Sequence, residues 1–201
     1  MSRFLVVFLI VIALVLLIGL GIAGWMMGHY NRFVTLNESV TAQWSHVETA
    51  YQRRMDLIPN LVQTVKGVAN FEKETYTAVA EARAKAGEIK ISEDLLKNPA
   101  AFAQFQQAQG ELGSALSRLL VTVERYPELK ANQNFLDLQN QLEGTENRIA
   151  VARKRYNETV QAYNTKVKRF PGRIIASLFG FEPRPYFESQ EGAETAPKVE
   201  F

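Results

Sequence analysis

Residues 133–170 carry a repeated stripe that sharply limits how this chain can fold. The stripe has eleven positions three or four residues apart, ten of them apolar or aromatic: Phe135, Leu138, Leu142, Thr145, Ile149, Ala152, Tyr156, Val160, Tyr163, Val167 and Phe170. Such spacing is typical of a long helix that keeps one face against partner helices, and it predicts a rod of about 55 Å. Because one exposed apolar face is unstable in water, the rest of the chain must supply covering helices.

The region before this stripe predicts two helices separated by a proline. Apolar residues at helical spacing run from Leu36 to Met55. The residue before a proline is biased away from helix, so we expect the chain to kink or turn around Ile58-Pro59. Asp56 would then cap a second helix that begins at Pro59 and fades near Gly87.

A polar connection over residues 87–98, with a short turn at Leu95-Leu96, leads to the third helix. Asn98-Pro99 is typical of a helix start, and Tyr126-Pro127 marks the end. Four long amphipathic helices with short links predict an all-α chain with an antiparallel up-down-up-down four-helix bundle. We assign the bundle to residues 30–172.

The N-terminal segment, residues 1–29, predicts a membrane anchor that continues into the first bundle helix. Residues 4–27 contain no charged side chain. As a helix they span about 36 Å, enough for a hydrocarbon core of about 30 Å. A cleaved signal peptide is the alternative, since Arg3 gives a charged start, but the run exceeds the usual length of about 7–15 apolar residues. Trp25 and Tyr30 suit a membrane interface.

Two further features bear on how the anchor sits. Arg3 lies closer to the apolar run than Arg32, which favours a single-pass protein of the bacterial inner membrane with an extracytoplasmic bundle. Gly21, Gly24 and Gly28 form a small-residue face suited to self-association, so we expect a homo-oligomer in the bilayer. The alternative is that glycines are simply common in membrane helices.

An antiparallel bundle returns the end of the fourth helix to the membrane. A short amphipathic and aromatic segment, residues 173–187, follows there, and the candidate membrane contacts are Lys166, Lys168, Arg169, Arg173, Phe179 and Phe181. Basic and aromatic residues together suit a lipid surface. The alternative is that this segment folds back over the open end of the bundle core. Residues 188–201 predict a disordered acidic tail.

A polar cluster is expected at the opposite end, where the predicted first turn meets the start of the fourth helix. Its members are Arg53, Arg54, Asp56, Asn60, Lys130, Asn132 and Asn134. Such groups at converging helix ends are suited to binding an anion or a partner loop. The alternative is that they cap helices and pair with neighbouring charges.

The composition argues against catalysis. The chain has 23 basic and 21 acidic residues, a net charge of +2, which gives no reason to expect nucleic-acid binding. It has no cysteine and only two histidines, His29 and His46, neither of which follows a glutamate by three residues as a di-iron bundle requires. Phosphate-binding glycine motifs are missing. We therefore predict no catalytic residues, no metal site and no cofactor.

Several motifs point to a known family. They include RRMDLIPNLV at residues 53–62, YPELKAN at 126–132, TENRIA at 145–150 and FGF at 179–181. In these motifs the chain resembles the LemA family of bacterial membrane-anchored helical proteins. The resemblance implies one membrane helix and a long-helix bundle, but no agreed biochemical activity. It also implies a branch associated with magnetosomes and frequent gene neighbours among membrane proteases.

These observations lead to one leading expectation. It is a non-catalytic scaffold or adaptor of the bacterial envelope that self-associates, with a membrane protease or another envelope protein as candidate partner. The alternative is a membrane-surface or membrane-remodelling module that acts through residues 166–187. A hydrolase or redox enzyme is the remote alternative.

Overall fold

The computed structural model describes residues 3–68 and 71–188, and this part of the chain is helical with no strand. The helices are α1 (Arg3–Lys66), α2 (Lys73–Glu88), α3 (Pro99–Val123), α4 (Pro127–Lys130), α5 (Gln133–Lys168) and α6 (Gly172–Phe179), with a 3₁₀ helix at Glu93–Lys97. The predicted all-α class, with an N-terminal apolar helix continuous with the bundle, is confirmed. Of the predicted disordered tail, residues 189–201 lie outside the described residues.

Helices α1 and α5 form the longest packed pair and run antiparallel. Near one end Arg53 donates to Gln141 at 2.9 Å, and near the middle the rings of Trp44 and Tyr156 lie 5.6 Å apart. Helix α2 runs antiparallel to both α1 and α3, as the Lys85–Glu111 and Glu72–Arg125 ion pairs show for α3. The chain therefore alternates direction through α1, α2, α3 and α5.

The predicted turn at Ile58-Pro59, with a second helix starting at Pro59, is wrong, because α1 continues through Pro59 to Lys66. Proline has no N–H, so the carbonyl of Met55, four residues earlier, loses its usual helical donor. Arg83 of α2 replaces that donor, with its Nε 3.0 Å from the Met55 carbonyl oxygen. Leu57 and Ile58 are buried beside the proline, so packing also holds the helix together.

The longer α1 shortens α2 and divides the bundle into two halves. Helix α2 begins at Lys73 rather than Pro59 and has only 16 residues. It packs on the half remote from the anchor, where the distal core contains Leu61, Leu112 and Phe135. In the proximal half, beside the apolar segment, no long α-helix takes the fourth side within the described chain. Residues 89–97 and 181–188 cover that core instead.

Two helix starts follow from local sequence. The Asn98 side chain accepts hydrogen bonds from the backbone N–H groups of Ala100 and Ala101, both at 3.1 Å, and Pro99 occupies the first turn of α3. Asn132 caps α5 in the same way by accepting from the Phe135 N–H at 3.1 Å. Free N–H groups at a helix start are thereby satisfied. The predicted start of α3 at Asn98-Pro99 is confirmed.

We expect Arg83→Ala to lower the free energy of unfolding by about 1–3 kcal/mol, since it leaves the part-buried Met55 carbonyl without a donor. In a Pro59→Ala background the loss should be smaller, because the new N–H at position 59 can bond to that carbonyl. Urea unfolding of the full-length protein in nanodiscs measures all four variants. An equal loss in both backgrounds would contradict this role for Arg83.

Candidate functional site

The C-terminal segment, residues 181–188, lies in a groove of the proximal half formed mainly by α3 and α5. It leaves α6 at Gly180, whose φ of 74° lies in the left-handed region that glycine adopts without strain. The segment then runs as non-helical chain to Glu188. We call the surface beneath it the proximal groove. Side chains of α5 supply most of its polar contacts.

Two asparagines of α5 each bind the backbone of one segment residue. The Asn164 side chain donates to the Arg184 carbonyl at 2.8 Å and accepts from the Arg184 N–H at 2.8 Å. Asn157 holds Phe187 in the same way, donating at 2.8 Å and accepting at 2.9 Å. Seven helical residues rise about 10.5 Å and three extended residues about 10 Å, so the two spacings match.

Three more side chains fix the backbone of the segment. The Tyr156 hydroxyl donates to the Pro185 carbonyl at 3.0 Å, and Arg153 donates to the Glu188 carbonyl at 2.8 Å. Gln106 of α3 accepts from the Glu188 N–H at 3.0 Å. Burial raises the pKa of Tyr156 well above its usual range, against the opposing charge of Arg184, so the phenol keeps the proton that it donates.

Phe187 fills an aromatic pocket in the proximal core. Its ring stacks on Trp44 with centroids 6.1 Å apart, and it packs against Phe102 at 4.9 Å and Tyr156 at 5.4 Å. The guanidinium of Arg153 lies 4.8 Å from the ring centroid on the outer side. Aromatic clusters of this kind contribute both buried area and favourable ring geometry, and the cation closes the pocket.

Arg184 occupies a second specific position three residues earlier. Its guanidinium donates to the Asn37 side chain of α1 at 2.8 Å and to the Leu96 carbonyl at 3.4 Å. It also lies 6.0 Å from the ring centroid of Tyr163, whose pKa is raised by burial and opposed by this positive charge. The groove therefore holds an extended backbone and accommodates an arginine and, three residues later, a phenylalanine.

Helix α6 precedes this segment in the chain, packs against α1 near the apolar segment, and has two different faces. Ile175 and Ala176 are buried in the proximal core, whereas Phe170, Ile174 and Leu178 are 76%, 59% and 63% exposed. The first pair covers the open end of the bundle. Of the three exposed residues, Ile174 and Leu178 lie four apart on one side of α6 and leave an apolar stripe at the anchor end, whereas Phe170 precedes the helix.

The predicted membrane contacts divide between these two environments. Lys168, Arg169 and Arg173 are exposed, and Lys166 is half-buried. Phe179 packs against Tyr30 with centroids 4.9 Å apart and ties α6 to α1. Phe181, the first residue of the C-terminal segment, stacks on the buried Phe33 of α1 at 5.0 Å and so belongs partly to the core. The basic side chains and the apolar stripe thus lie at the same end of the molecule.

Gly21, Gly24 and Gly28 lie on the surface of the apolar part of α1. A Cβ atom added at any of the three would meet nothing within 4 Å. Part of this surface adjoins a crevice of about 410 Å³ between α1 and α6, lined by Ala23, Met26, Met27, Tyr30 and Phe179. The glycine positions are therefore open to another helix.

The predicted distal polar cluster does not lie at a turn of α1. Because α1 is unbroken at Pro59, the residues from Arg53 to Asn60 lie along the helix instead of at a turn. Their side chains and those of the fourth helix start have separate partners. Arg53 bonds to Gln141, Asp56 accepts from Gln52, Thr64 donates to the Asn60 carbonyl, Lys130 pairs with Glu124, Asn132 caps α5, and Asn134 is exposed.

Arg54, the remaining member, is buried at the boundary between the two cores. Its guanidinium pairs with Glu146 at 3.0 Å and donates to both the main-chain and side-chain oxygens of Gln109. It also lies 5.0 Å from the ring centroid of Tyr51, whose pKa burial raises against the charges of Arg153 and Arg54. These contacts tie α1 to α3 and α5, which is a structural role.

The uncovered face of the α1–α5 pair forms a second groove of about 510 Å³. Its floor includes Ala50 and Ala152, and its basic lining residues are His46, Arg53, Arg148 and Arg155. The residues that line it include no carboxylate. This outer groove is suited to a partner with acidic side chains.

The histidines lie far apart in the structure. His29 packs against Trp25 with ring centroids 4.3 Å apart and the rings tilted, at the end of the apolar segment, and His46 lines the outer groove. Seventeen helical residues separate them by about 25 Å. Over the ranges 3–68 and 71–188, no three His, Asp or Glu side chains come together as metal ligands.

Sequence reasoning did not identify the binding role of Asn157, Asn164 and Phe187. The available signal was the pair of asparagines seven residues apart beside the apolar stripe of α5. That spacing alone predicts only that both residues lie on the same side of the helix. Their ligand is a segment 20 and 30 residues further along the chain, which no local pattern indicates.

We expect Phe187→Ala to lower the free energy of unfolding by about 3–5 kcal/mol, since it empties the aromatic pocket. Trp44 emission should shift to longer wavelength as water enters. Phe170→Ala is the matched control, because its ring is 76% exposed, and it should change stability little in nanodiscs. Equal effects of the two substitutions would contradict the assigned packing.

Comparison with known proteins identifies relatives that match most of the chain. Magnetosome protein MamQ 2 of Paramagnetospirillum magneticum is 28% identical over 186 residues, covering 85% of this chain and 68% of the relative. Magnetosome protein MamQ of Magnetospirillum gryphiswaldense matches with the same identity and coverage. Protein LemA of Metamycoplasma hominis is 21% identical over 165 residues, covering 82% of this chain and 71% of that protein.

The family comparison agrees with these relatives. The model of the LemA family matches residues 43–201. This range begins within α1, beyond the apolar segment, and includes every later helix. The matched region also contains both asparagines that bind the C-terminal segment. On this match, the chain belongs to the LemA family.

Proposed function

We propose that this protein is a non-catalytic, membrane-anchored helical scaffold or adaptor of the bacterial envelope that self-associates in the bilayer. The observation that carries this proposal is the continuity of α1 from the apolar segment into the bundle. A helix without a break holds the bundle upright on its anchor at a fixed distance from the membrane. Such a post is suited to presenting binding surfaces rather than to enclosing a substrate.

The apolar segment supports the single-pass anchor in this proposal. Within the described residues, α1 is the one helix with a stretch long and apolar enough to cross a membrane. The charge flanks favour an extracytoplasmic bundle. The names of the MamQ relatives, magnetosome proteins, support an organising role.

The open glycine positions support self-association. Gly21, Gly24 and Gly28 let another membrane helix approach closely, and none of the residues that the structure describes covers them. The outer groove of the α1–α5 pair supports the adaptor role. Its basic residues suit an acidic segment of another envelope protein, such as a membrane protease.

We expect Gly24→Leu combined with Gly28→Leu to convert oligomers of the full-length protein to monomers, because the larger side chains keep the helices apart. Gly19→Leu is the matched control: Gly19 also has open space around it but lies on the other side of the helix. Native mass measurement in lipid nanodiscs reads the oligomer directly. A monomeric wild-type protein, or equal loss in both variants, would contradict self-association.

A second candidate function, contact with the membrane surface, is favoured by α6. Its apolar stripe of Ile174 and Leu178 is exposed at the anchor end, beside Lys168, Arg169 and Arg173. Apolar side chains flanked by cations suit the boundary between acyl chains and anionic headgroups. This contact would hold the bundle against the membrane without another protein.

The absence of natural cysteine makes this contact testable with a single label. The full-length protein is placed in vesicles with anionic lipid. A fluorophore attached at Leu178→Cys should then emit at shorter wavelength than the same label at a control site in water, and nitroxide lipids should quench it. Lys154→Cys, exposed on α5, is the control and should remain unquenched. Equal quenching at the two sites would argue against the surface contact.

A further inference from the structure

We propose that the proximal groove is a peptide-binding site for an extended Arg-x-x-Phe segment, and that in the assembled protein it holds residues 184–188 of a second copy. This inference rests on the self-association proposed above and names the contact that joins the copies. In the structure the chain's own C-terminal segment occupies the site, and it defines what the ligand must offer.

The groove binds the segment through contacts that a separate peptide could also make. The backbone hydrogen bonds of Arg184, Pro185, Phe187 and Glu188 end on side chains of the groove rather than on other backbone groups. Each asparagine satisfies both the donor and the acceptor of one residue, as a neighbouring strand would. Recognition of this kind requires an extended backbone but not a covalent connection to the groove.

Two subsites add sequence preference to this backbone recognition. The first takes an arginine, through the Asn37 side chain and the Leu96 carbonyl. The second takes an aromatic ring between Trp44, Phe102 and Tyr156. A second copy of the chain carries both residues at the required spacing, so its segment makes the same contacts.

The link between α6 and the segment allows the exchange. Glu182 and Pro183 are exposed, and Gly180 takes a positive φ at the end of α6. If the chain opens at Gly180, four extended residues span about 13 Å to Arg184, enough to reach a bundle in direct contact. The Phe181–Phe33 stacking would be released in that step.

The energetics favour exchange in a membrane. An exchanged segment regains the contacts that it loses, which makes this a low-cost route to an oligomer. Anchors also place the grooves of neighbouring copies at one height and raise their effective concentration. The open glycine positions of α1 allow the close approach that the short link needs.

Cysteine pairing tests this exchange, since the natural chain has no cysteine. The Glu188 N–H lies 3.0 Å from the Gln106 side chain when the segment is bound. One full-length copy carries Gln106→Cys and the other Glu188→Cys, and the two are co-expressed in membranes and oxidised. Their disulfide-linked dimer requires the segment of one copy to lie in the groove of the other.

We expect a disulfide-linked dimer from the mixed copies. Asn157→Ala with Asn164→Ala on the copy that carries Gln106→Cys should reduce it at least tenfold. In the control, the first copy carries Lys154→Cys, an exposed position on the same bundle, instead of Gln106→Cys. Its yield of disulfide-linked dimer measures random collision and should be no higher than the yield of the asparagine variant. Gly24→Leu with Gly28→Leu should reduce the dimer as well, since it separates the anchors.

The double variant, with both cysteines on one chain, distinguishes the contrary outcomes. One contrary outcome is a disulfide within the double variant while the mixed copies give no more dimer than the collision control. It would show that the segment stays on its own chain and would overturn the exchange. No disulfide in either sample would overturn the site itself. Native mass measurement on the same samples tests self-association separately from exchange. Oligomers without the linked dimer would overturn the exchange but support self-association.

Discussion

Antiparallel packing of α1 against α5 is the contact on which the other elements depend. One face of this pair receives α3, through contacts such as the Trp44–Phe105 and Tyr51–Phe105 rings. The buried Arg54 fixes the axial position of α1 relative to α3 and α5. The opposite face remains open as the outer groove. Because α1 also carries the apolar segment, these contacts connect the bundle to that segment without an intervening loop.

The length of α1 determines how the rest of the chain must cover the core. Since α1 runs on to Lys66, the returning α2 has only 16 residues and packs on the distal half. The proximal half therefore lacks a fourth helix and is closed by residues 89–97 and the C-terminal segment. Phe187 supplies the apolar group there, while Asn157 and Asn164 satisfy the backbone that a helix would have bonded internally.

Local sequence patterns predicted the elements that depend on local physics. The apolar stripe gave α5 to within two residues at its end, and Asn98-Pro99 gave the start of α3. The break at Pro59 was wrong because the donor that replaces the missing N–H, Arg83, lies 28 residues away from Met55. The expected polar cluster had been assigned to that break, so its residues lie along α1 and at the start of α5 instead. The proximal groove depends on contacts across the chain, for which no local spacing is diagnostic.

Hydrogen exchange at single amides of the full-length protein in nanodiscs tests most directly whether the C-terminal segment completes the proximal core. The N–H groups of Arg184 and Phe187 donate to Asn164 and Asn157. They should exchange as slowly as buried amides in the middle of α5, since release requires the core to open. Exchange at the rate of an unstructured peptide, with α5 still protected, would contradict this account.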